Sequence, residues 1–267
     1  MKRAVVNGFE MAYQDEGNGY PVLLAHGFPL SSAIWNPQIE EFKRHYRVIA
    51  PDLRGFGESA NGASERGITT MDQYAADLLA LIDLLGLENV VLGGHSMGGY
   101  VAFAFYRRYP QRVRALILCN TKSEADTAEA RQARYNLIEQ VKTRGATAAA
   151  DANIPKLFAP DTYNLRPDLV AQVAGLIERT NPAGIIAAAA GMAERPDSKA
   201  TLEHIKVPTL VVAGKDDMLI PADSARKMAQ AIPDWQLSVV PHAGHMASLE
   251  NPDFLNQAAE TFLRGLK

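Results

Sequence analysis

The stretch Asn89-Val90-Val91-Leu92-Gly93-Gly94-His95-Ser96-Met97-Gly98 decides the fold of this chain. Its apolar first half predicts a buried strand. The Gly-x-Ser-x-Gly pattern that follows is typical of a strand-to-helix turn that exposes a nucleophilic serine. The residues two before and two after Ser96 must be small at so sharp a turn, and both are glycine. Such a pattern occurs by chance in about one chain in twenty of this length, so its interpretation depends on the rest of the sequence.

Composition and charge limit the classes of protein to consider. The chain has 267 residues, of which 47% are hydrophobic and 21% charged, and its formal net charge is -3. These values indicate an ordinary globular protein and argue against nucleic acid as a partner. Because no segment has the apolar length of a signal peptide or a membrane span, we expect a cytoplasmic protein without a membrane partner. A single cysteine, Cys119, excludes an internal disulfide, and the oligomeric state is left open.

Short apolar runs alternate with helical patterns and predict a mostly parallel sheet covered by helices on both faces. The predicted strands are 22–25, 47–50, 90–93, 113–119, 210–213 and 237–240. Ahead of them, segments 2–7 and 10–15 flank Gly8 and predict an antiparallel hairpin. Helices are expected over 71–85 and 251–266. The expected fold class is therefore α/β, with eight strands in one sheet.

The strand signal vanishes between residues 121 and 206. This segment is rich in alanine and helix-prone, and prolines at 155, 160, 167, 182 and 196 divide it. Strands resume at 207–212, so the segment interrupts one sheet. We predict a core formed by 1–120 and 207–267, with a helical cap over 121–206 inserted after the sixth strand.

Polar residues that suit acyl-transfer chemistry follow two later strands. A serine hydroxyl needs a histidine base within hydrogen-bond reach, and the histidine needs an acid that fixes its tautomer. Asp216 and Asp217 follow the strand at 210–213, and His242 and His245 follow the last strand. The carboxyl ends of parallel strands meet at one edge of a sheet, so we expect an acid and a histidine to approach Ser96 there.

These stretches together resemble the α/β-hydrolase superfamily over nearly the whole chain. The matching segments are His26-Gly27-Phe28-Pro29, the loop 52–59, the turn 94–98, Gly214-x-x-Asp217-x-x-x-Pro221 and Gly244-His245. The resemblance implies that Ser96 is the nucleophile, His245 the general base and Asp217 the orienting carboxylate. It also implies that the backbone N–H groups of Phe28 and Met97 form the oxyanion hole.

The other histidines and the cofactor question have simpler interpretations. We interpret His95 as support beneath the turn and His26 as a brace for the oxyanion segment. A metal site at His242 and His245 is disfavoured because no cysteine or third histidine accompanies them. No phosphate-binding loop or dinucleotide fingerprint is present, and we expect no cofactor and no metal.

A serine nucleophile indicates acyl transfer to water. Haloalkane dehalogenases and epoxide hydrolases of this superfamily carry aspartate at the position of Ser96, which argues against both. The chain is most similar to the 3-oxoadipate enol-lactonase-like esterases, through segments 180–184 and 205–214. It departs from them at 194–197, where those lactonases usually carry an acidic stretch.

The resemblance implies a carboxylesterase acting on small to medium acyl esters, with lactone hydrolysis as the alternative. A small-molecule ester or lactone is then the expected partner. Further alternatives are a cofactor-free perhydrolase, a carbon-carbon bond hydrolase and a ligand receptor with slow turnover.

Apolar residues of the cap are expected to shape the substrate pocket. The candidates are Leu137, Ile138, Val141, Ile154, Leu157, Phe158, Val173, Ile177 and Ile185, together with Trp35 and Met246 from the core. For Trp35 the alternative is that it anchors the first helix.

Overall fold

The strands form one sheet in the computed structural model, which describes residues 1–62 and 67–266. They are β1 (Lys2–Val6), β2 (Phe9–Glu16), β3 (Tyr20–Ala25), β4 (Tyr46–Pro51), β5 (Val90–His95), β6 (Val113–Cys119), β7 (Thr209–Gly214) and β8 (Trp235–Val240). Their order across the sheet is β1-β2-β4-β3-β5-β6-β7-β8. The pairs β1·β2 and β2·β4 are antiparallel, and all the others are parallel. The expected eight-stranded, mostly parallel sheet is confirmed.

Helices join the parallel strands and cover the sheet. Within the described residues they are α1 (Asn36–Phe42), α2 (Met71–Leu84), α3 (Met97–Arg108), α4 (Ala128–Arg144), α5 (Ala146–Leu157), α6 (Pro160–Leu165), α7 (Pro167–Glu178), α8 (Pro182–Ala193), α9 (Lys199–Leu202), α10 (Ala222–Gln230), α11 (Ala247–Glu250) and α12 (Pro252–Arg264). None of these helices has the length and apolar character needed to cross a membrane.

Alternating side chains of the central strands feed two apolar cores. On β5, Leu92 packs with residues of α2, α3 and α10 on one face, whereas Val91 packs with α1 and α12 on the other. Every residue of β5 and of β7 is buried. Burial on both faces is the reason why these strands are continuous apolar runs without polar alternation. Cys119 at the end of β6 is also buried, and burial raises the pKa of its thiol to about 12.

The segment between β6 and β7 consists of α4 to α9 and contains no strand over residues 120–208, all of which the structure describes. Pro160, Pro167 and Pro182 each occupy the first position of a helix, where a missing N–H group costs nothing. The prolines were expected to divide the segment, but Pro155 does not end a helix. It lies inside α5, close to its end. Two residues of α5 follow this proline, so the hydrogen bond that it cannot donate is lost near the end of the helix and not from its middle.

Candidate active site

The turn between β5 and α3 holds Ser96 in an uncommon backbone conformation. Its φ is 52° and its ψ is -111°, in the region of positive φ that non-glycine residues rarely adopt. A Cβ atom at Gly94 would lie 2.3 Å from the carbonyl oxygen of Gly98, and one at Gly98 would lie 2.3 Å from that of Ala25. Both glycines are therefore required by close backbone approach. The turn lifts the Ser96 hydroxyl above the carboxyl end of the sheet.

Three side chains from separate loops form one hydrogen-bonded chain at this edge. The Ser96 hydroxyl lies 2.9 Å from Nε2 of His245, and Nδ1 of His245 lies 2.8 Å from Oδ2 of Asp217. Because the carboxylate can only accept, Nδ1 donates its proton and Nε2 is free to accept from the serine. His242 is exposed, and Asp216 has no hydrogen bond to His245. The structure thus brings together Ser96, His245 and Asp217, the three residues singled out from the sequence.

Asp217 is held ionised inside the protein. Burial disfavours its charged form, but the adjacent His245, the amide of Asn120 and the backbone N–H of Ile220 outweigh burial and lower the pKa of Asp217. Its Oδ1 accepts from the N–H groups of Leu219 and Ile220 at 2.8 and 2.9 Å. An ionised carboxylate at this place stabilises a positive charge on the imidazole ring.

The two residues predicted to form the oxyanion hole follow β5 and β3 along the chain. Met97 is the first residue of α3, where an N–H group has no partner within the helix. Phe28 lines the same cavity as Ser96 and His245. His26 supports this segment from below, because its Nδ1 donates to the carbonyl of Gly27 at 2.8 Å and its Nε2 accepts from Leu53 N–H at 2.9 Å.

His95 connects the turn around Ser96 to the loop that carries His245, residues 241–246, which we call the histidine loop. Its Nε2 donates to the backbone carbonyl of His245 at 2.7 Å, and the two rings lie 5.0 Å apart. Trp35 packs its ring edgewise against His95 at 6.3 Å. Burial and the neighbouring His245 lower the pKa of His95 to about 3. A neutral His95 is therefore part of the folded structure at neutral pH.

This low pKa makes stability depend on pH. The unfolded chain takes up a proton on His95 near pH 6.5, whereas the folded chain does so only near pH 3, so stability is fully present above pH 6.5 and falls on acidification. We expect His95 to account for a loss of about 2 kcal/mol between pH 7 and pH 5. Urea unfolding at both pH values should show that His95→Gln loses less stability on acidification than the wild type, by about this amount. An equal loss in both proteins would contradict a neutral buried His95.

The cavity above Ser96 has a volume of about 200 Å³ and a mixed wall. Its charged and amide side chains are Lys122, Asp126, Arg134 and Asn153, and its apolar side chains are Phe28, Leu157, Met192, Leu219 and Ile220. A wall with three charged side chains was not expected from the sequence, from which the pocket was assigned to apolar residues.

The expected pocket residues lie elsewhere and need correction. Trp35, Leu137, Phe158, Ile185 and Met246 are not among the residues that line the cavity; four of them are buried in the apolar core on the α1 and α12 side, and Leu137 packs against that core. Large apolar side chains gain most when they are removed from water completely, which favours the core over a cavity wall. Of the apolar cap candidates, Leu157 does line the cavity.

The sequence did not lead us to predict two residues that support this site. Asn120, directly after β6, donates through Nδ2 to Oδ2 of Asp217 at 2.9 Å and to the carbonyl of Gly244 at 3.2 Å. Its position at the carboxyl end of a central strand could have indicated that it lies beside the catalytic candidates. It orients the same carboxylate oxygen that His245 contacts.

The second missed residue is Glu250, which fastens the histidine loop to α6. Its Oε1 accepts from the N–H groups of Gly244 and Met246 at 2.8 and 3.2 Å. Its Oε2 accepts from Ala159 N–H and from the Thr162 hydroxyl, both at 2.7 Å. Burial raises the pKa of Glu250 despite these hydrogen bonds. No local pattern distinguishes this glutamate, because two of its donors, Ala159 and Thr162, lie 91 and 88 positions away in the chain.

A larger cavity, of about 530 Å³, lies beside Ser31, Asp52 and Arg179. It contains none of the three residues of the hydrogen-bonded chain. We therefore choose the candidate active site by the hydrogen-bonded chain at Ser96 and not by cavity size.

Comparison with known proteins identifies the family. A family model described as the alpha/beta hydrolase fold matches residues 20–252. The chain belongs to the alpha/beta hydrolase fold family. The solved structure of a thermophilic esterase from Thermogutta terrifontis, with malate bound, is 41% identical, with a TM-score of 0.96 over 100% of this chain and 99% of that one.

Two other members of the family indicate the range of activities among its relatives. The enol-lactonase from Burkholderia xenovorans LB400 is 28% identical, with a TM-score of 0.91 over 98% of this chain and 100% of that one. A protein from Agrobacterium fabrum, provisionally named carbamate hydrolase RutD, is 31% identical over 264 residues. The match covers 96% of this chain and 97% of that protein. The resemblance to esterases and enol-lactonases inferred from the sequence is confirmed.

Proposed function

We propose that the protein is a serine carboxylesterase that hydrolyses esters of short acyl chains through an acyl-enzyme on Ser96. The observation that supports this most strongly is the hydrogen-bonded chain Ser96–His245–Asp217, with distances of 2.9 and 2.8 Å. The same three residue types perform acyl transfer on several unrelated folds. In this proposal residues 121–206 act as the cap that covers the cavity.

Acylation begins at the serine hydroxyl. Ser96 Oγ attacks the ester carbonyl carbon while His245 Nε2 takes the hydroxyl proton, and the carbonyl oxygen becomes an oxyanion. The N–H groups of Met97 and Phe28 stabilise this oxyanion. The carbon-oxygen bond to the alcohol then breaks, and the protonated His245 gives its proton to the leaving alcohol.

Deacylation repeats these steps with water. His245 removes a proton from a water molecule, and the resulting hydroxide attacks the acyl carbon on Ser96. The second tetrahedral intermediate collapses, Ser96 regains its proton from His245, and the carboxylic acid leaves. Asp217 keeps Nδ1 protonated and stabilises the imidazolium in both halves of the cycle.

Lactone hydrolysis is the second candidate, because the similar Burkholderia structure is an enol-lactonase. A lactone differs from an ester only in that the leaving alcohol stays attached to the acyl-enzyme. The same residues therefore suffice for both reactions, and only measured rates distinguish them.

A substrate panel tests the proposal. Nitrophenyl acetate, butyrate and octanoate are compared with lactones of five to seven ring atoms and with a nitrophenyl carbamate. A cavity of about 200 Å³ is smaller than the roughly 300–1,000 Å³ of most ligand sites. We therefore expect kcat/KM to be higher for acetate and butyrate than for octanoate.

Each other outcome of the panel points to a different function. Lactones or the carbamate turned over faster than every ester would replace the ester assignment. A kcat at or below about 0.01 per second on all substrates, together with tight binding of a ligand, would instead indicate a receptor.

A further inference from the structure

Two charged side chains of the active-site cavity, Asp126 and Arg134, form a cluster with Arg195, which lies outside the cavity wall. Asp126 lies between Arg134 and Arg195 and forms an ion pair with each of them; the Arg195 pair is 2.8 Å long. The side chains of Asp126 and Arg195 are 1% and 3% exposed. The Asp126 carboxylate is therefore already neutralised by two guanidinium groups, and it does not make the cavity negative.

Arg195 is fixed by further contacts. Its guanidinium donates to the carbonyls of Met192 and Glu124, both at 2.8 Å, and lies 4.0 Å above the ring of Tyr100, which also lines the cavity. These contacts hold Arg195 against Asp126 and leave it no freedom to pair elsewhere. Arg195 is thus a structural member of the cluster.

Lys122 differs from both arginines. Its side chain lines the cavity with Ser96 and His245, yet among the described residues its ammonium group has no hydrogen-bond or ion-pair partner. Burial and the charge of Arg195 lower the pKa of Lys122. The acidic groups that act on Lys122 are Asp126, which is paired, and Glu124, whose side chain is 44% exposed, so that water screens its charge.

Lys122 follows a residue that is anchored to the nucleophile. The preceding residue, Thr121, donates its hydroxyl to the backbone carbonyl of Ser96 at 2.8 Å. A half-buried ammonium group has lost part of its hydration, so a bound anion stabilises it more than it would an exposed one. Lys122 and Arg134 against the single carboxylate of Asp126 give this wall an excess of one positive charge.

We propose that Lys122 is a binding subsite for a second, ionised carboxylate carried by the substrate. This inference rests on the proposed function and specifies its substrate class: short esters or lactones that bear a free carboxylate in addition to the scissile bond. Because the cavity is small, the free carboxylate and the scissile carbonyl of the substrate are only a few carbon atoms apart. The anion receives a charge-assisted hydrogen bond from Lys122, while the carbonyl to be attacked lies at Ser96.

Matched pairs of esters test this inference at pH 7. Monoethyl glutarate is compared with ethyl pentanoate, which places the carboxylate on the acyl side. The acetate ester of 3-hydroxypropanoate is compared with propyl acetate, which places it on the alcohol side. We expect kcat/KM to favour the anionic member of at least one pair by about tenfold or more, as for a hydrogen bond to a charged group.

Variants show whether Lys122 causes the preference. In Lys122→Gln the ratio of anionic to neutral kcat/KM should fall at least tenfold. Lys142→Gln is the matched control, because Lys142 is an exposed lysine of α4 that pairs with Glu139 and does not line the cavity. Its ratio should equal that of the wild type. Ratios near one in both pairs, or a high ratio that survives Lys122→Gln, would overturn the inference.

Failure of the proposed function would look different. If the wild type hydrolyses none of the four esters, the esterase assignment is wrong, and calorimetric titration with monoethyl glutarate tests the subsite by itself. A Kd at least tenfold weaker in Lys122→Gln than in the wild type would support the subsite. Equal Kd values, or no binding to either protein, would reject it.

Discussion

Replacing Ser96 by alanine should lower kcat on nitrophenyl butyrate by on the order of 10⁶-fold, as removal of the nucleophile does in other serine hydrolases. The reason is that the residual oxyanion donors can stabilise attack by water only weakly without the covalent step. The Ser96 hydroxyl makes no helix-capping hydrogen bond at the start of α3, so its loss should leave the fold intact. The measurements are kcat and the midpoint of thermal unfolding.

Ser224→Ala provides the control for this experiment. Ser224 is an exposed serine of α10 and lies outside the cavity. We expect its kcat and thermal midpoint to match those of the wild type. A Ser96→Ala protein that stays folded and retains more than about a hundredth of the activity would show that another group is the nucleophile.

Asp217→Asn should lower kcat by about 10⁴-fold, the size of loss seen when the acid of such a triad is made an amide. An amide NH₂ facing Nδ1 of His245 would turn Nδ1 into an acceptor and move the ring proton to Nε2. The ring could then no longer accept the proton of Ser96, although the side chains keep their shape. Kinetics of the purified variant at pH 7 measure this loss.

Asp216→Asn separates the role of Asp217 from general charge effects. Asp216 precedes Asp217 in the same loop and has no hydrogen bond to His245. Its neutralisation should leave kcat unchanged. Equal losses in the two variants would mean that the charge of the loop, and not the contact of Asp217 with Nδ1, supports catalysis.

The residues that the sequence predicted well are those fixed by the local backbone. Gly94 and Gly98 are required by contacts within a few residues and with the adjacent strand β3, so the turn around Ser96 is visible in a short pattern. The loops that bear Asp217 and His245 follow buried strands, whose apolar runs mark where each loop begins. Parallel strands then bring these loops to one edge of the sheet without further information.

The cavity wall could not be predicted in this way. Arg134 lies in α4 and Lys122 in the loop between β6 and α4, and the sequence of neither segment indicates which part of the protein each side chain meets. Asp126 and Arg195 are 69 positions apart in the chain, and only the packed structure joins them at 2.8 Å. Phe158, assigned to the pocket because it is large and apolar, is in the core for the same reason.

The same limitation explains why Glu250 was missed. A glutamate in a short helix is normally an exposed residue, and its sequence neighbours give no reason to expect otherwise. Here its two oxygens accept four hydrogen bonds from the histidine loop and from the start of α6. The buried carboxylate thus holds His245's loop in place through backbone N–H groups, which no residue pattern encodes.

The most direct measurement is covalent labelling with a fluorophosphonate, followed by intact mass and peptide mapping. The reagent mimics the tetrahedral intermediate and reacts only with an activated nucleophile that has an oxyanion site beside it. The expected result is a single adduct per chain on Ser96, absent in Ser96→Ala and strongly slowed in His245→Ala. A wild-type protein that forms no adduct, or one whose adduct lies on another residue, would contradict Ser96 as the activated nucleophile.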